Sequence, residues 1–284
     1  MTVIHKIKEL REFLNLYIRD DKSIGFVPTM GALHSGHCDL IKRSSAENDI
    51  TVVSIFVNPI QFGKNEDFDT YPRTLAEDCK IAAKSGANIV FAPAENDMFK
   101  GGIVSYVDVE NLQSNLCGLK RPGHFRGVCT IVAKFFNIVK PNKAYFGKKD
   151  IQQLTIIQKM TDDLNFDVQI IPCDIVREQD GLAMSSRNRY LSDSERAHSL
   201  VLSTMLKRAV EQIDGGQISS QKVINMIKDG FNAIESLKID YVSIVNKQME
   251  DVDTISNGDI IALAVFIGKT RLIDNHIIGE PVCF

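Results

Sequence analysis

Short apolar runs and amphipathic stripes alternate along the first part of the chain. The runs cover residues 24–28, 51–57, 88–92 and 168–176. They are near-continuously apolar and rich in β-branched residues, which predicts strands covered on both faces. Between them, residues 6–17 place Ile7, Leu10, Phe13 and Leu14 on one helical face. Further helices are predicted over 36–47, 74–85, 127–139 and 150–164. Thr74 and Glu77 have the spacing of a capping box, and Asp150 and Gln153 make a similar start. Val128, Ile131, Val132, Phe135 and Ile138 mark the helix at 127–139 as well buried. Strand–helix alternation of this kind predicts an α/β fold, a parallel, doubly wound, Rossmann-like sheet with right-handed crossovers. Such sheets bind ligands beyond the carboxyl ends of their strands.

The pattern changes near Val176. Ser192 and Glu195 form a capping box ahead of a stripe made by Leu202, Met205, Leu206, Ala209 and Ile213. Val223, Ile227, Phe231 and Ile234 make a second stripe, and apolar runs follow at 241–245, 260–267 and 270–278. Gly268-Lys269 between the last two predicts a hairpin. The expected organisation is a first domain over residues 1–176 and a smaller C-terminal α+β domain over 177–284.

Composition narrows the function classes. The hydrophobic share of 44% and charged share of 24% exclude wholesale disorder. A net charge of −3 argues against a dedicated nucleic-acid binder. No apolar run approaches the ~20 residues that span a bilayer, and the N-terminus lacks the apolar core of a secretory signal. Six scattered cysteines (Cys38, Cys79, Cys117, Cys129, Cys173 and Cys283) show no CxxC spacing, so neither a zinc site nor a disulfide framework is expected. Together these predict a cytoplasmic protein with no membrane or nucleic-acid partner.

Four segments at strand ends could carry chemistry. The first is Met30, Gly31, Ala32, Leu33, His34, Ser35, Gly36 and His37, between a strand and a helix. Glycines let backbone approach a ligand, and helix-start N–H groups with imidazole donors suit phosphate. The bland alternative is an ordinary polar βα turn. The second is Met184, Ser185, Ser186 and Arg187, where hydroxyls and a guanidinium suit polyphosphate, or else simply form a turn. The third is Gly147, Lys148, Lys149 and Asp150, followed by Gln153, to be read as a phosphate-reaching lysine or as a capped helix with solvated lysines. The fourth is Asn58 and Gln61, neutral donors and acceptors fit for a polar substrate, or turn chemistry around Pro59. The conjunction of all four at strand ends favours one cleft.

These segments carry a resemblance. His34-Ser-Gly-His37 resembles the HIGH element and Met184-Ser-Ser-Arg187 the KMSKS element of the HIGH-type nucleotidyltransferases. The ordered set PTMGALHSGH, SIFVNPIQFG, DFDTYPRT, RPGHFRGV, AYFGKKDIQQL, IPCDIVRE and LAMSSRNRYLS resembles the family of pantothenate synthetases, or pantoate–β-alanine ligases, over nearly the whole chain. One departure is Lys148, where that family more often carries Glu, which makes Lys149 the matching lysine. The resemblance implies ATP binding by Met30 to His37, by Gly147, Lys148, Lys149 and Asp150, by Val176, and by Met184 to Arg187. It implies pantoate binding by Gln61 and Gln153 with Asn58 alongside, and a β-alanine contact from Gln61. His37 is implied as the proton donor, with His34 and Lys149 as further catalytic groups. Mg²⁺ with ATP, a pantoyl-adenylate intermediate and a homodimer are implied in the same way. Competing readings are another nucleotidyltransferase on the same fold, an aminoacyl-tRNA synthetase, and a nucleotide-binding regulator with a decayed site. The charge balance disfavours the second, and retention of both histidines, Lys149, Asn58, Gln61 and Gln153 disfavours the third.

Overall fold

The computed structural model describes residues 1–64 and 66–281; Cys283 lies outside the described residues. The chain divides into two compact units. One comprises Met1–Gln113, Gly118–Lys148 and Gln153–Asp174; the other comprises Ser114–Cys117, Lys149–Gln152 and the chain from Ile175 onward. In chain order the elements up to Cys173 are β1 (Thr2–Ile4), α1 (Ile7–Arg19), β2 (Ile24–Thr29), α2 (Ser35–Glu47), β3 (Ile50–Ile55), α3 (Leu75–Lys84), β4 (Ile89–Phe91), α4 (Glu95–Met98), α5 (Leu116–Lys120), α6 (His124–Val139), β5 (Lys143–Gly147), α7 (Ile151–Asp163) and β6 (Gln169–Cys173). They are followed by α8 (Asp193–Ser199), α9 (Val201–Asp214), α10 (Ser220–Asn232), β7 (Leu237–Val245), β8 (Ile260–Ile267) and β9 (Thr270–Ile277).

In the first unit, six strands form one parallel sheet in the order β1-β4-β3-β2-β5-β6. The expected doubly wound architecture is therefore present. β2 and β3 read as unbroken apolar runs because both their faces are covered; Phe26, Val27, Val52 and Val53 are fully buried. On one face Val27, Val53, Val90 and Tyr145 pack with Ile41 of α2. Phe26 instead meets Phe135 of α6, ring centroids 5.5 Å apart. Strand order reverses between β2 and β5, which makes their carboxyl ends the topological switch point.

Three local expectations are corrected. The strand expected over 168–176 stops at Cys173, because its partner β5 runs out at Gly147 and leaves nothing further to pair with. The helix expected from 127 begins a turn earlier, at His124, launched by Gly123 in the left-handed conformation at φ 82°. Thr74 makes no capping bond to the helix backbone; its hydroxyl donates to the Asp78 carboxylate at 3.1 Å.

The second unit contains the antiparallel sheet β7-β8-β9. Leu206 of α9 and Val223, Ile227 and Phe231 of α10 fill the core against Leu263, Val265 and Ile267. The Ser192–Glu195 capping box forms as expected: Glu195 N–H donates to Ser192 Oγ at 3.3 Å, and Ser192 N–H donates to Glu195 Oε2 at 2.9 Å. Strands β8 and β9 pair as a hairpin across Gly268-Lys269.

Candidate active site

The loop from Met30 to His34 leaves β2 at the switch point. It turns through two consecutive left-handed residues, Gly31 at φ 85° and Ala32 at φ 50°. A side chain at Gly31 would press on Asp78 Oδ2 and Ile55 Cγ2, each 3.0 Å from the Cβ position, so glycine is required twice over. Ala32 adopts a conformation that costs an L-residue about 1–2 kcal/mol. Asp78 offsets that cost. It is 1% exposed, and accepts from Ala32 N–H at 3.1 Å and Leu33 N–H at 2.7 Å. Thr29 Oγ1 accepts from Gly31 N–H at 3.2 Å and donates to Ser54 O at 2.6 Å, which ties the loop to β3. Asp78 was not among the sequence candidates. Its only sequence signal is a carboxylate on the face of α3 that also buries Ala82.

His34 caps α2 in an extended conformation, and His37 lies in the helix's first turn. Their rings stack with centroids 4.0 Å apart. His34 N–H donates to His37 Nδ1 at 3.3 Å. Nδ1 is therefore an acceptor, and in the neutral ring the proton sits on Nε2. The helix start thus combines backbone N–H groups with an imidazole whose remaining nitrogen is a donor, an arrangement that attracts anions.

Asn58 and Gln61 follow β3 around Pro59. Asn58 is 1% exposed; its Nδ2 donates to Gln61 Oε1 at 2.8 Å and to Gly127 O at 3.2 Å. Two acceptors on one side fix the amide orientation. Asn58 Oδ1 is consequently a buried acceptor with no partner among the described residues. Gln61 Oε1 is occupied, and its Nε2 donates to the weak acceptor Met30 Sδ at 3.4 Å, which leaves the second hydrogen of that amide for a ligand. The pair presents one acceptor and one donor, both neutral. Gly127 permits the close approach: a Cβ there would fall 2.4 Å from Ile60 O. Gly147 and Lys148 lie at the carboxyl end of β5, next to β2. Lys148 Nζ pairs with Asp174 at 2.8 Å. Gln153 is half-buried in the first turn of α7.

Sequence reasoning also missed the wall behind Gln61. His124 Nδ1 is 2.8 Å from Gln61 O, and His124 Nε2 is 2.9 Å from Arg121 Nη1. Arg121 in turn makes a bidentate pair with Glu66. Burial pushes the Glu66 carboxyl up, but the Arg121 guanidinium overrides it and holds the group below its usual range.

The remaining candidates belong to the second unit. Lys149 O accepts from Asn275 Nδ2 of β9 at 2.8 Å. The neighbouring residue, Asp274, is 2% exposed and accepts from Arg177 at 2.7 and 3.0 Å. Met184 N–H donates to Val176 O at 2.9 Å, closing a hairpin that brings those two candidates together. Ser185 then caps a helical turn by accepting from Arg187 N–H at 3.3 Å. Asn188 locks the turn by donating to Glu178 Oε1 at 2.6 Å and Ala183 O at 3.1 Å. Among the described residues no three His, Cys, Asp or Glu side chains converge as a metal site. The five described cysteines form no disulfide. No helix of the described residues is long and apolar enough to cross a membrane.

Comparison with known proteins adds a family match, two relatives and two solved structures. A family model described as pantoate-beta-alanine ligase matches residues 2–277. The chain is 50% identical to a pantothenate synthetase of Pseudothermotoga lettingae over 281 residues, covering 99% of this chain and all (100%) of the relative. It is 48% identical to one from Clostridium botulinum over 276 residues, covering 97% and 98%. A Thermus thermophilus pantothenate synthetase structure superposes with a TM-score of 0.93 at 39% identity, covering 98% of this chain and 99% of that one. A Francisella tularensis pantoate-beta-alanine ligase, complexed with beta-gamma ATP and beta-alanine, gives 0.79 at 35% identity, covering 98% and 97%.

Proposed function

The chain belongs to the pantoate-beta-alanine ligase family, and on that premise we propose that it condenses (R)-pantoate with β-alanine through a pantoyl-adenylate, releasing AMP and pyrophosphate. The observation that carries this reading is the neutral pair at the switch point, with Asn58 Oδ1 a buried acceptor left unpaired and Gln61 Nε2 a donor. A hydroxy acid needs both, and a neutral pair orients its carboxylate without a competing charge. Gln153 completes the pantoate contacts, and Gln61 also meets β-alanine. ATP is bound by residues 30–37, 147–150, 176 and 184–187.

The first step needs no general base, because a carboxylate of pKa near ~4 is already ionised. Pantoate oxygen attacks the α-phosphorus, the bond to the β-phosphate oxygen breaks, and pyrophosphate leaves. The histidine-capped start of α2 and the Lys149 ammonium stabilise the charge that develops on the phosphates. In the second step the neutral amine of β-alanine attacks the acyl carbon, the C–O bond to AMP breaks, and the amine proton is lost to water. Mg²⁺ enters with ATP as part of the substrate.

The reading extends to the domain division at 176/177, with the C-terminal domain closing over the nucleotide, and to a cytoplasmic homodimer. Protection from limited proteolysis by ATP tests the closure, and sedimentation equilibrium tests the dimer. The deciding assay combines Mg·ATP, pantoate and β-alanine and omits each in turn. AMP and pyrophosphate should form in step with amide, and pantoate alone should support ATP–pyrophosphate exchange. Release of ADP instead would replace the adenylate with an acyl phosphate.

A further inference from the structure

The substrate-facing end of Gln61 is only as well placed as the turn that carries it. Gln61 sits in a single 3-10 turn, Pro59–Gln61, too short to hold itself. Its own N–H bond, to Asn58 O, is long at 3.4 Å. The strong contact on its backbone comes from far along the chain, where the His124 ring meets Gln61 O at 2.8 Å. A carbonyl can only accept, so His124 Nδ1 carries the proton and donates. Arg121 Nη1 can only donate, so His124 Nε2 accepts at 2.9 Å. The two partners therefore select one neutral tautomer of His124. Arg121 is fixed by its fork on Glu66, and it also points Nη2 at Gln61 O from 3.5 Å. His124 is further held against Phe125, ring centroids 4.9 Å apart.

We propose that His124, set in one tautomer by Arg121 and Glu66, is a positioning residue that fixes the Gln61 carbonyl and thereby aims the Gln61 amide at the acid substrate. The inference rests on the reading of Gln61 as a pantoate-binding group. His124 touches no substrate in this scheme; it acts through the turn. Its loss should therefore fall on pantoate and leave ATP almost untouched.

Three variants separate this role from packing. His124→Phe keeps a ring in the same space and removes both hydrogen bonds. His124→Asn keeps a donor near the Nδ1 position. Gln61→Ala removes the group being aimed. For His124→Phe the KM for pantoate should rise about tenfold, the scale of one lost hydrogen bond to a buried carbonyl. The KM for ATP should stay within about twofold, and His124→Asn should restore most of the pantoate affinity. In the Gln61→Ala background the further effect of His124→Phe should vanish, because residues acting as one unit are not additive. A wild-type pantoate KM in His124→Phe, or equal losses for ATP and pantoate, overturns the proposal while leaving the site reading intact. Additive effects in the double variant overturn it in the same way. An unchanged pantoate KM in folded Gln61→Ala overturns the site reading, and this inference with it. Should His124→Phe fail to fold, the comparison of His124→Asn with His124→Gln decides: Gln carries its amide beyond the Nδ1 position, so equal pantoate KM values for the two overturn the proposal.

Discussion

Asp78 shows how a single carboxylate can set the loop that leads from β2 into α2. It spends both oxygens on backbone N–H groups of Ala32 and Leu33, and one also on Thr74. Asp78→Asn keeps the size but turns one oxygen into a donor facing another donor. Hydrogen bonds to a charged group contribute about 1.5–3 kcal/mol each, so this variant should lose about 2 kcal/mol in urea unfolding. It should also slow ATP–pyrophosphate exchange by about 10²-fold as the loop relaxes. Unaltered exchange in a folded variant would show that the loop holds itself. The two lysines allow a sharper comparison. Lys148 is committed to Asp174, and its side chain is 19% exposed. Lys149 is the residue whose carbonyl the protein clamps. In single-turnover pyrophosphate release, Lys149→Ala should therefore be slowed far more than Lys148→Ala, although each removes one charge; equal losses would mean a nonspecific basic patch. The histidines, Lys149, Asn58 and Gln61 could be nominated from the sequence because each lies in a short contiguous motif. Asp78 and His124 could not, since their partners lie 45 and 63 residues away and only the folded chain brings them together.

At the scale of elements, legibility followed the length of the apolar run: β5 lies between β2 and β6 with its middle buried, yet Lys143-Ala-Tyr-Phe-Gly147 was not among the runs read as strands. β2 and β3 announce themselves as apolar runs, whereas β1 is three residues long, largely exposed and silent in the sequence. Strand ends follow pairing rather than propensity: the apolar run after Cys173 continues to Val176, but β5 has already ended. The starts of β2 and β3 are joined by Asp49, which accepts from Ser23 N–H at 2.9 Å, Ser23 Oγ at 2.8 Å and Lys22 at 3.2 Å. The Ser23 backbone N–H, then its hydroxyl, then Lys22 hold the Asp49 carboxyl at about 2, below its ordinary 3.8. The folded value lies below the unfolded one. The stability it adds is therefore present above about pH 4 and is lost as pH falls through about 2. The gap in urea midpoint between the native chain and Asp49→Asn should be widest near neutral pH and should close on acidification. A gap independent of pH would assign the effect to the shape of the turn and not to its charge.

At the scale of the whole molecule, the alternation of elements and the parallel, doubly wound class were readable, because long apolar periods and right-handed crossovers leave few topologies; the strand order β1-β4-β3-β2-β5-β6 came only with the folded chain. The path of the chain between the two units was not readable either. The second unit takes Ser114–Cys117 and Lys149–Gln152 out of the sequence of the first. Asn115 Nδ2 donates to Met249 O at 3.2 Å, and Gln152 Nε2 donates to Asn115 O at 2.8 Å. A fragment of residues 177–284 lacks these partners and should unfold with a shallower urea dependence than the same unit in the full chain, as followed by hydrogen exchange of β8 amides. A sharp transition at equal stability would show that the borrowed segments are dispensable. The same threading sets a schedule on the ribosome. Asn275 is made 126 residues after the Lys149 that it clamps. At about 5–20 residues per second that is a wait of roughly 6–25 s. During that interval the Lys149 carbonyl is without its Asn275 donor. A chain released before β9 is translated carries every motif of the ligase and still lacks the Asn275 bond to the Lys149 carbonyl.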